Sequence, residues 1–295
     1  MTVVSCPVDE RHVNPLFEVF DGGDLILSSY RDVEDDHTTL QLFLPDPADA
    51  PRAAEALVTA GKIVGVDLDP VVGSIPDEDW KLAYRKHFKI DVVSPRLVIV
   101  PEWEVKSFVP ASGQQMLILD PGMAFGTGQH ATTRACLNFI DRLAVEDSNR
   151  SFLDVGCGSG ILAIAAVLEG FRSVRGFDID PDAVQNANEN AARNSLDLGF
   201  FRGDLSGSSR LDDVTPLSPS EQFAADVVAA NVLGPILIRF AKEISALVKA
   251  GGQLILSGIL DELYPEVAAA YAALGFRETN SELIGEWRTG LFARA

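Results

Sequence analysis

A carboxylate stands two residues ahead of three alternate glycines in Phe152-Leu153-Asp154-Val155-Gly156-Cys157-Gly158-Ser159-Gly160. The apolar run before the glycines and Ile161-Leu162-Ala163 after them read as strand, tight turn and helix. Glycine lets a turn bend sharply and approach a ligand closely, and the helix start that follows offers free N–H groups. A turn that admits pyrophosphate is spaced G-x-G-x-x-G, whereas this one is G-x-G-x-G beside Asp154. A carboxylate in that place repels pyrophosphate and accepts hydrogen bonds from an ammonium. The chemistry that fits is a nucleoside carrying an amino-acid ammonium, as in S-adenosylmethionine, held by Asp154, Gly156 and Gly158.

Twenty-two residues past Gly156, Asp178 ends the next apolar run, Gly176-Phe177-Asp178-Ile179-Asp180-Pro181. A carboxylate there can accept both hydroxyls of a ribose, with Ile179 beside it in the same cofactor contact. Asp180 followed by Pro181 reads as the cap and first residue of a helix. Asp204 follows a third strand, either near an adenine amine or as an ordinary loop carboxylate. Asn231 closes a fourth strand, Ala225-Asp226-Val227-Val228-Ala229-Ala230-Asn231. Ligands of such sheets bind at strand C-termini, which makes Asn231 the candidate catalytic residue and a cofactor neighbour, with a helix cap as the alternative. The residues after it, Val232-Leu233-Gly234, carry no ring and no tandem prolines, so the local sequence favours an aliphatic amine over a planar amide as acceptor.

These residues need elements to hold them. From Phe152 onward strands alternate with helices: Phe152–Val155, Ile161–Leu168, Val174–Asp178, Ala183–Asn194, Gly199–Arg202, Val227–Ala230, Ile236–Leu247, Gln253–Ser257 and Leu260–Leu274. Such alternation predicts parallel pairing in a doubly wound sheet. Two closing runs, Arg277–Ile284 and Trp287–Ala293, read as a hairpin that adds one antiparallel strand. The fold class is therefore α/β, a Rossmann-like, mostly parallel seven-stranded sheet over residues 119–295. Residues 74–118 read as a linker: a helix over Ile75–Phe88, then strands at Leu97–Val100 and Met116–Leu119.

Residues 1–73 form a separate β-α-β-β-α-β series: Thr2–Cys6, Val8–Phe20 interrupted near Pro15, Asp24–Tyr30, Thr38–Leu44, Ala48–Ala60 and Ile63–Val71. That order predicts a small ferredoxin-like α+β domain. It holds 14 Asp/Glu against 4 Lys/Arg, about −10 of a total net charge of −19. Such a balance disfavours binding to a phosphate backbone and suits a basic protein partner, although acidic surfaces also serve solubility alone. Cys6, Cys136 and Cys157 lack metal-ligand spacing and read as reduced, buried thiols. No apolar run is long enough to span a membrane and no secretory signal is visible, so a cytoplasmic protein is expected.

One more segment carries chemistry: Leu119-Asp120-Pro121-Gly122-Met123-Ala124-Phe125-Gly126-Thr127-Gly128-Gln129-His130-Ala131-Thr132-Thr133, a glycine- and hydroxyl-rich loop before an amphipathic helix. It reads as a lid over the cofactor, with His130 either a base or an incidental hydrogen-bonding group. Together D-P-G-M-A-F-G-T-G-Q-H-A-T-T, L-D-V-G-C-G-S-G-I-L-A-I-A-A, F-D-I-D-P-D-A and A-N-V-L-G-P-I resemble the ribosomal-protein methyltransferase family, from Pro76 to the end. The resemblance implies S-adenosylmethionine-dependent trimethylation of amines on large-subunit ribosomal protein eleven. It also implies cofactor contacts from Phe125, Thr133, Gly156, Gly158, Asp178 and Asn231, and capture of the substrate by the N-terminal domain. The chain departs from the family pattern at Ala131, where proline is usual, at Val232-Leu233-Gly234, and in a longer polar insert over Leu205–Gln222. Two other readings stay open: a methyltransferase for another protein or a small amine, and a cofactor-binding module without turnover. Asn231 and the complete loop speak against the second.

Overall fold

The computed structural model describes residues 2–20, 25, 27–32, 37–44, 46–74, 88–120, 130–207, 214–217 and 223–294. The chain divides into two compact units, Met1–Phe88 and Lys89–Ala295.

Unit 1 follows the predicted order: β1 (Thr2–Val8), α1 (Val13–Phe20), β2 (Leu27–Asp32), β3 (His37–Leu44), α2 (Ala50–Val64) and β4 (Val71–Ser74). Its sheet runs β2-β3-β1-β4, antiparallel throughout. Alternate strand residues Val4, Cys6, Leu40, Leu42 and Leu44 form one core with Leu16 of α1 and Ala53, Leu57 and Ala60 of α2. In α2 those three sit at i, i+4 and i+7, the spacing of a single helix face. Pro15 falls in the first turn of α1, where its missing N–H costs no intrahelical bond. The predicted strand over Ile63–Val71 is corrected. Ile63 and Val64 complete α2, Gly65 ends it with φ 81°, and pairing with β1 begins only at Val71. A left-handed glycine is a strong helix stop, and it overrides the β-branched run around it.

Unit 2 opens with β5 (Asp91–Val92), β6 (Leu97–Pro101) and β7 (Gln115–Leu119), a three-stranded sheet. Of the segment predicted as a linker, 75–87 lies outside the described residues, and the strands that follow belong to this unit. Then come α3 (Ala131–Glu146), β8 (Ser151–Val155), α4 (Ile161–Leu168), β9 (Arg172–Asp178), α5 (Pro181–Arg193), β10 (Phe201–Asp204), β11 (Thr215–Pro216), β12 (Ala225–Asn231), α6 (Gly234–Arg239), α7 (Ala241–Ala246), β13 (Val248–Leu260), α8 (Tyr264–Ala272), β14 (Phe276–Ile284) and β15 (Trp287–Arg294). The main sheet runs β11-β10-β9-β8-β12-β13-β15-β14, parallel except for β15, which is antiparallel to both neighbours. The seven predicted strands are present, and the insert after Leu205 adds β11 as a two-residue edge.

Alternate residues of each central strand pack on opposite faces. Phe152, Val227 and Ala229 meet α3, α4 and α5 through Leu137, Ile164 and Ala187. Leu153, Val228 and Ala230 meet Leu237, Ile244 and Val267 of α6, α7 and α8. Burial on both faces explains why these strands read as continuous apolar runs. The helix predicted over Ile236–Leu247 breaks at Phe240 into α6 and α7.

Candidate active site

The C-terminal ends of β8, β9, β10 and β12 open on one cavity of about 720 Å³. Asp154, Gly156, Gly158, Asp178, Ile179 and Asn231 line it together, as do His130, Thr132, Asp204, Phe240, Gly258 and Trp287. Sequence reasoning brought the first six to one place from three separate segments. Parallel strands with aligned C-terminal ends are what assemble them.

The glycine turn is held from both sides. The N–H groups of Gly156 and Cys157 both donate to the carbonyl of Phe177, at 3.0 and 2.9 Å, and Gly158 N–H donates to Asp178 Oδ2 at 3.0 Å. Gly156 has φ 68°, and a Cβ there would lie 2.6 Å from Val232 Cγ1, so the position excludes a side chain twice over. Asp178 Oδ1 accepts from Asp180 N–H at 3.1 Å. The carboxylate thus keeps a fixed orientation at the cavity edge with lone pairs to spare for a diol. Asp180 caps α5, accepting from Asp182 N–H at 2.9 Å ahead of Pro181, as the sequence predicts.

Asp154 is 1% exposed. Its Oδ2 accepts from Ala163 N–H at 3.2 Å, and its Oδ1 is buried without a partner. Burial first, with the charge of Asp178 adding to it, pushes its carboxyl up to about 7 against the single hydrogen bond from Ala163. A buried acceptor left open costs about 1–3 kcal/mol, and Asp154 carries this one on the wall of the cavity.

Asn231 shares that arrangement. Its Nδ2 donates to Thr133 Oγ1 at 3.4 Å, and its Oδ1 is buried with no partner. The cap position of α6 belongs to Leu233, so Asn231 is not that helix's cap. Thr133 is fully buried behind Asn231, and its neighbour Thr132 lines the cavity. Phe125 lies outside the described residues. His130 caps α3: its Nδ1 lies 2.7 Å from Thr132 Oγ1 and accepts from Thr132 N–H at 3.4 Å. Asp204 folds onto its own turn, accepting from Ser206 N–H and Oγ at 2.8 and 2.6 Å.

Trp287 and Gly258 reach the wall without any signal in the local sequence. Trp287 enters from β15 and meets the His130 ring edge-on, with centroids 5.2 Å apart. An aromatic ring thus enters the cavity wall from the far end of the chain, whereas the Val232-Leu233 stretch after Asn231 carries none. Gly258 sits where the β13–β15 register shifts, with φ 82°, and a Cβ there would come 2.3 Å from the Val232 carbonyl. A bulge of this kind re-aims a strand end beside a site.

S-adenosylmethionine fits this cavity on three observations. The volume lies within the roughly 300–1,000 Å³ usual for small-molecule sites. The open Asp154 oxygen matches an ammonium, and the oriented Asp178 carboxylate matches a ribose.

Residues 71–294 match the family model described as ribosomal protein L11 methyltransferase (PrmA). A ribosomal protein L11 methyltransferase of Geobacter sulfurreducens is 45% identical over 220 residues, 74% of this chain and 67% of that protein. One from Azotobacter vinelandii is 42% identical over 233 residues, 79% of this chain and 73% of that protein. The crystal structure of a ribosomal protein L11 methylase from Lactobacillus delbrueckii subsp. bulgaricus superposes with a TM-score of 0.60 at 32% identity, covering 70% of this chain and 99% of that one. Motifs, sheet order and relatives agree, and the chain belongs to the ribosomal protein L11 methyltransferase family.

Proposed function

We propose that this protein transfers methyl groups from S-adenosylmethionine to amines of ribosomal protein L11, on lysine side chains, at the N-terminus, or both. The observation that carries the reading is the pair of buried, unpartnered oxygens, Asp154 Oδ1 and Asn231 Oδ1, on neighbouring strands in one cavity. When bound, the cofactor supplies an electrophilic methyl group on a sulfonium. Asp154 receives its ammonium, Gly156 and Gly158 admit its close approach, and Asp178 with Ile179 holds its ribose. Asn231, its amide nitrogen occupied by Thr133, turns its oxygen toward the N–H of the acceptor amine and so aims the nitrogen lone pair.

The acceptor must be neutral. A lysine of ordinary pKa pays about 4–5 kcal/mol to lose its proton at pH 7. The apolar wall of Val232, Leu233, Ile236, Phe240 and Trp287 lowers that cost by disfavouring the ammonium. Carboxylates close to the amine have the opposite effect. The acidic N-terminal unit accordingly serves to collect a basic protein while the reacting amine sits elsewhere. With a net charge of −19, direct contact with RNA is not part of this reading, and the reaction belongs to the cytoplasm. Among the described residues, no helix is long and apolar enough to cross a membrane.

The test is incubation of methyl-labelled cofactor with ribosomal subunits and with purified L11, followed by mass-spectrometric mapping. Label on L11 amines is the expected result. Label on another protein or a small amine, with L11 unmodified, overturns the substrate assignment.

A further inference from the structure

Asn190, on α5, is a fully buried polar side chain to which the mechanism gives no role. Its Nδ2 donates to the carbonyl of Ser159 at 3.0 Å, inside the glycine turn, and to Asn186 Oδ1 at 3.1 Å. Its Oδ1 accepts from the N–H of Asp120 at 3.2 Å. One amide group therefore bridges the cofactor turn and the residue from which the Pro121–Gln129 segment departs.

The surroundings keep it in that geometry. Arg193, one turn along the same helix face, reaches Asp120 Oδ2 at 3.5 Å and Glu102 Oε2 at 3.0 Å. Asn194, a further position on, takes Ile118 N–H at 2.8 Å and gives to Ile118 O at 2.6 Å. Asn194 fixes the same strand end without touching the glycine turn. Residues at i, i+3 and i+4 share one face, so this face of α5 docks β7, and Asn190 alone of the three also holds the turn.

We infer that Asn190 is a positioning residue that couples occupancy of the cofactor turn to the placement of Asp120. A ligand on Gly156 and Gly158 fixes Ser159, Ser159 fixes the Asn190 amide, and the amide oxygen fixes Asp120 N–H. The coupling is reciprocal, so whatever orders Asp120 also tightens cofactor binding. The inference rests on the proposed cofactor site.

The test is amide hydrogen exchange at Asp120 in the full chain, with and without saturating S-adenosylhomocysteine, whose binding is measured separately by calorimetry. In the unmodified protein the ligand should slow exchange at Asp120 by about tenfold, within the roughly 5–150-fold range of couplings between sites. Asn190→Ala should abolish the ligand dependence while Asn194→Ala retains it. Asn190→Asp keeps an acceptor for Asp120 N–H and removes the donor to Ser159, so it should also lose the dependence, with cofactor affinity falling by the same factor of about ten that reciprocity requires. If the ligand binds and Asp120 exchange is unchanged in the unmodified protein, or if Asn190→Ala keeps the full dependence, the coupling is overturned. Absence of ligand binding in the unmodified protein overturns the cofactor site itself, and the inference with it.

Discussion

Unit 1 covers one face of an antiparallel sheet with two helices, whereas unit 2 buries both faces of a mostly parallel sheet. Their treatment of buried polar atoms differs in step. Among the described residues, the buried side-chain oxygens without a partner, Asp154 Oδ1 and Asn231 Oδ1 included, all lie in unit 2. Unit 1 has an aliphatic core around Val4, Leu40, Leu42 and Leu57, and its distinguishing property is the excess of carboxylates in its sequence. An unpartnered buried oxygen costs stability at one atom, whereas an excess of surface carboxylates costs it as diffuse like-charge repulsion. The proposed function assigns the chemistry to unit 2 and capture of the partner to unit 1, a division of work that can be tested directly.

The strongest way to break that division is to remove unit 1. Without residues 1–88, methyl transfer to ribosomal protein L11 should collapse to background while calorimetry shows cofactor affinity close to that of the full chain. A folded truncation that still methylates L11 at full rate would sink the division of labour.

The next effect is confined to unit 2. Asn231→Ala should lower single-turnover rates at saturating cofactor by roughly 10²–10³-fold, the size of one preorganised hydrogen bond in a transition state, with little change in cofactor affinity. Wild-type turnover in a folded variant would move the acceptor site away from β12. Smaller again, Asp178→Ala should weaken cofactor binding by about 1.5–3 kcal/mol, because bonds to a charged acceptor are lost. An unchanged dissociation constant would misplace the ribose.

How far these assignments could be read without the structure depended on the range of the interaction. The turn over Gly156–Gly160, the carboxylates Asp154 and Asp178 and the strand end at Asn231 carry their meaning in local spacing, and the parallel sheet brings them to one cavity. The cap at Asp180 was legible for the same reason. Trp287 and Gly258 were not, because strand register and a bulge, not local sequence, bring them to the cavity wall. Thr133 was read by position as a cofactor contact, and the structure sets it behind Asn231, an orientation decided by helix phase. The misplaced strand at Ile63 shows the converse: a local β-branched signal lost to a helix stripe and its glycine stop one residue beyond Val64.

The smallest effect, and the one that sharpens the comparison most, is the pH dependence of Asp154. Its carboxyl is raised by burial to about 7, far above that of an unfolded aspartate. A raised pKa means the folded apoprotein holds a proton that the unfolded chain releases. The stability this contributes is complete at acid pH, below the unfolded value near 4, and is lost as pH rises through about 7. Glu169, also pushed up to about 7 by burial in spite of Arg96, acts in the same direction on stability but lies outside the cavity lining. Cofactor binding separates the two. An ammonium pairs with ionised Asp154 only, so affinity should rise by up to about tenfold per pH unit below 7 and level off above it. It should fall again once the cofactor's own α-amine deprotonates near pH 7.7–8.0. Asp154→Asn should flatten the rising limb and weaken binding near neutral pH, yet make the apoprotein more stable at pH 8, since a buried charge is replaced by a neutral amide. Glu169→Gln should change the stability profile and leave the binding profile intact. If Asp154→Asn keeps the rising limb in calorimetry between pH 5.5 and 7.5, the titrating group is elsewhere, and the open Asp154 oxygen is not where the ammonium is received.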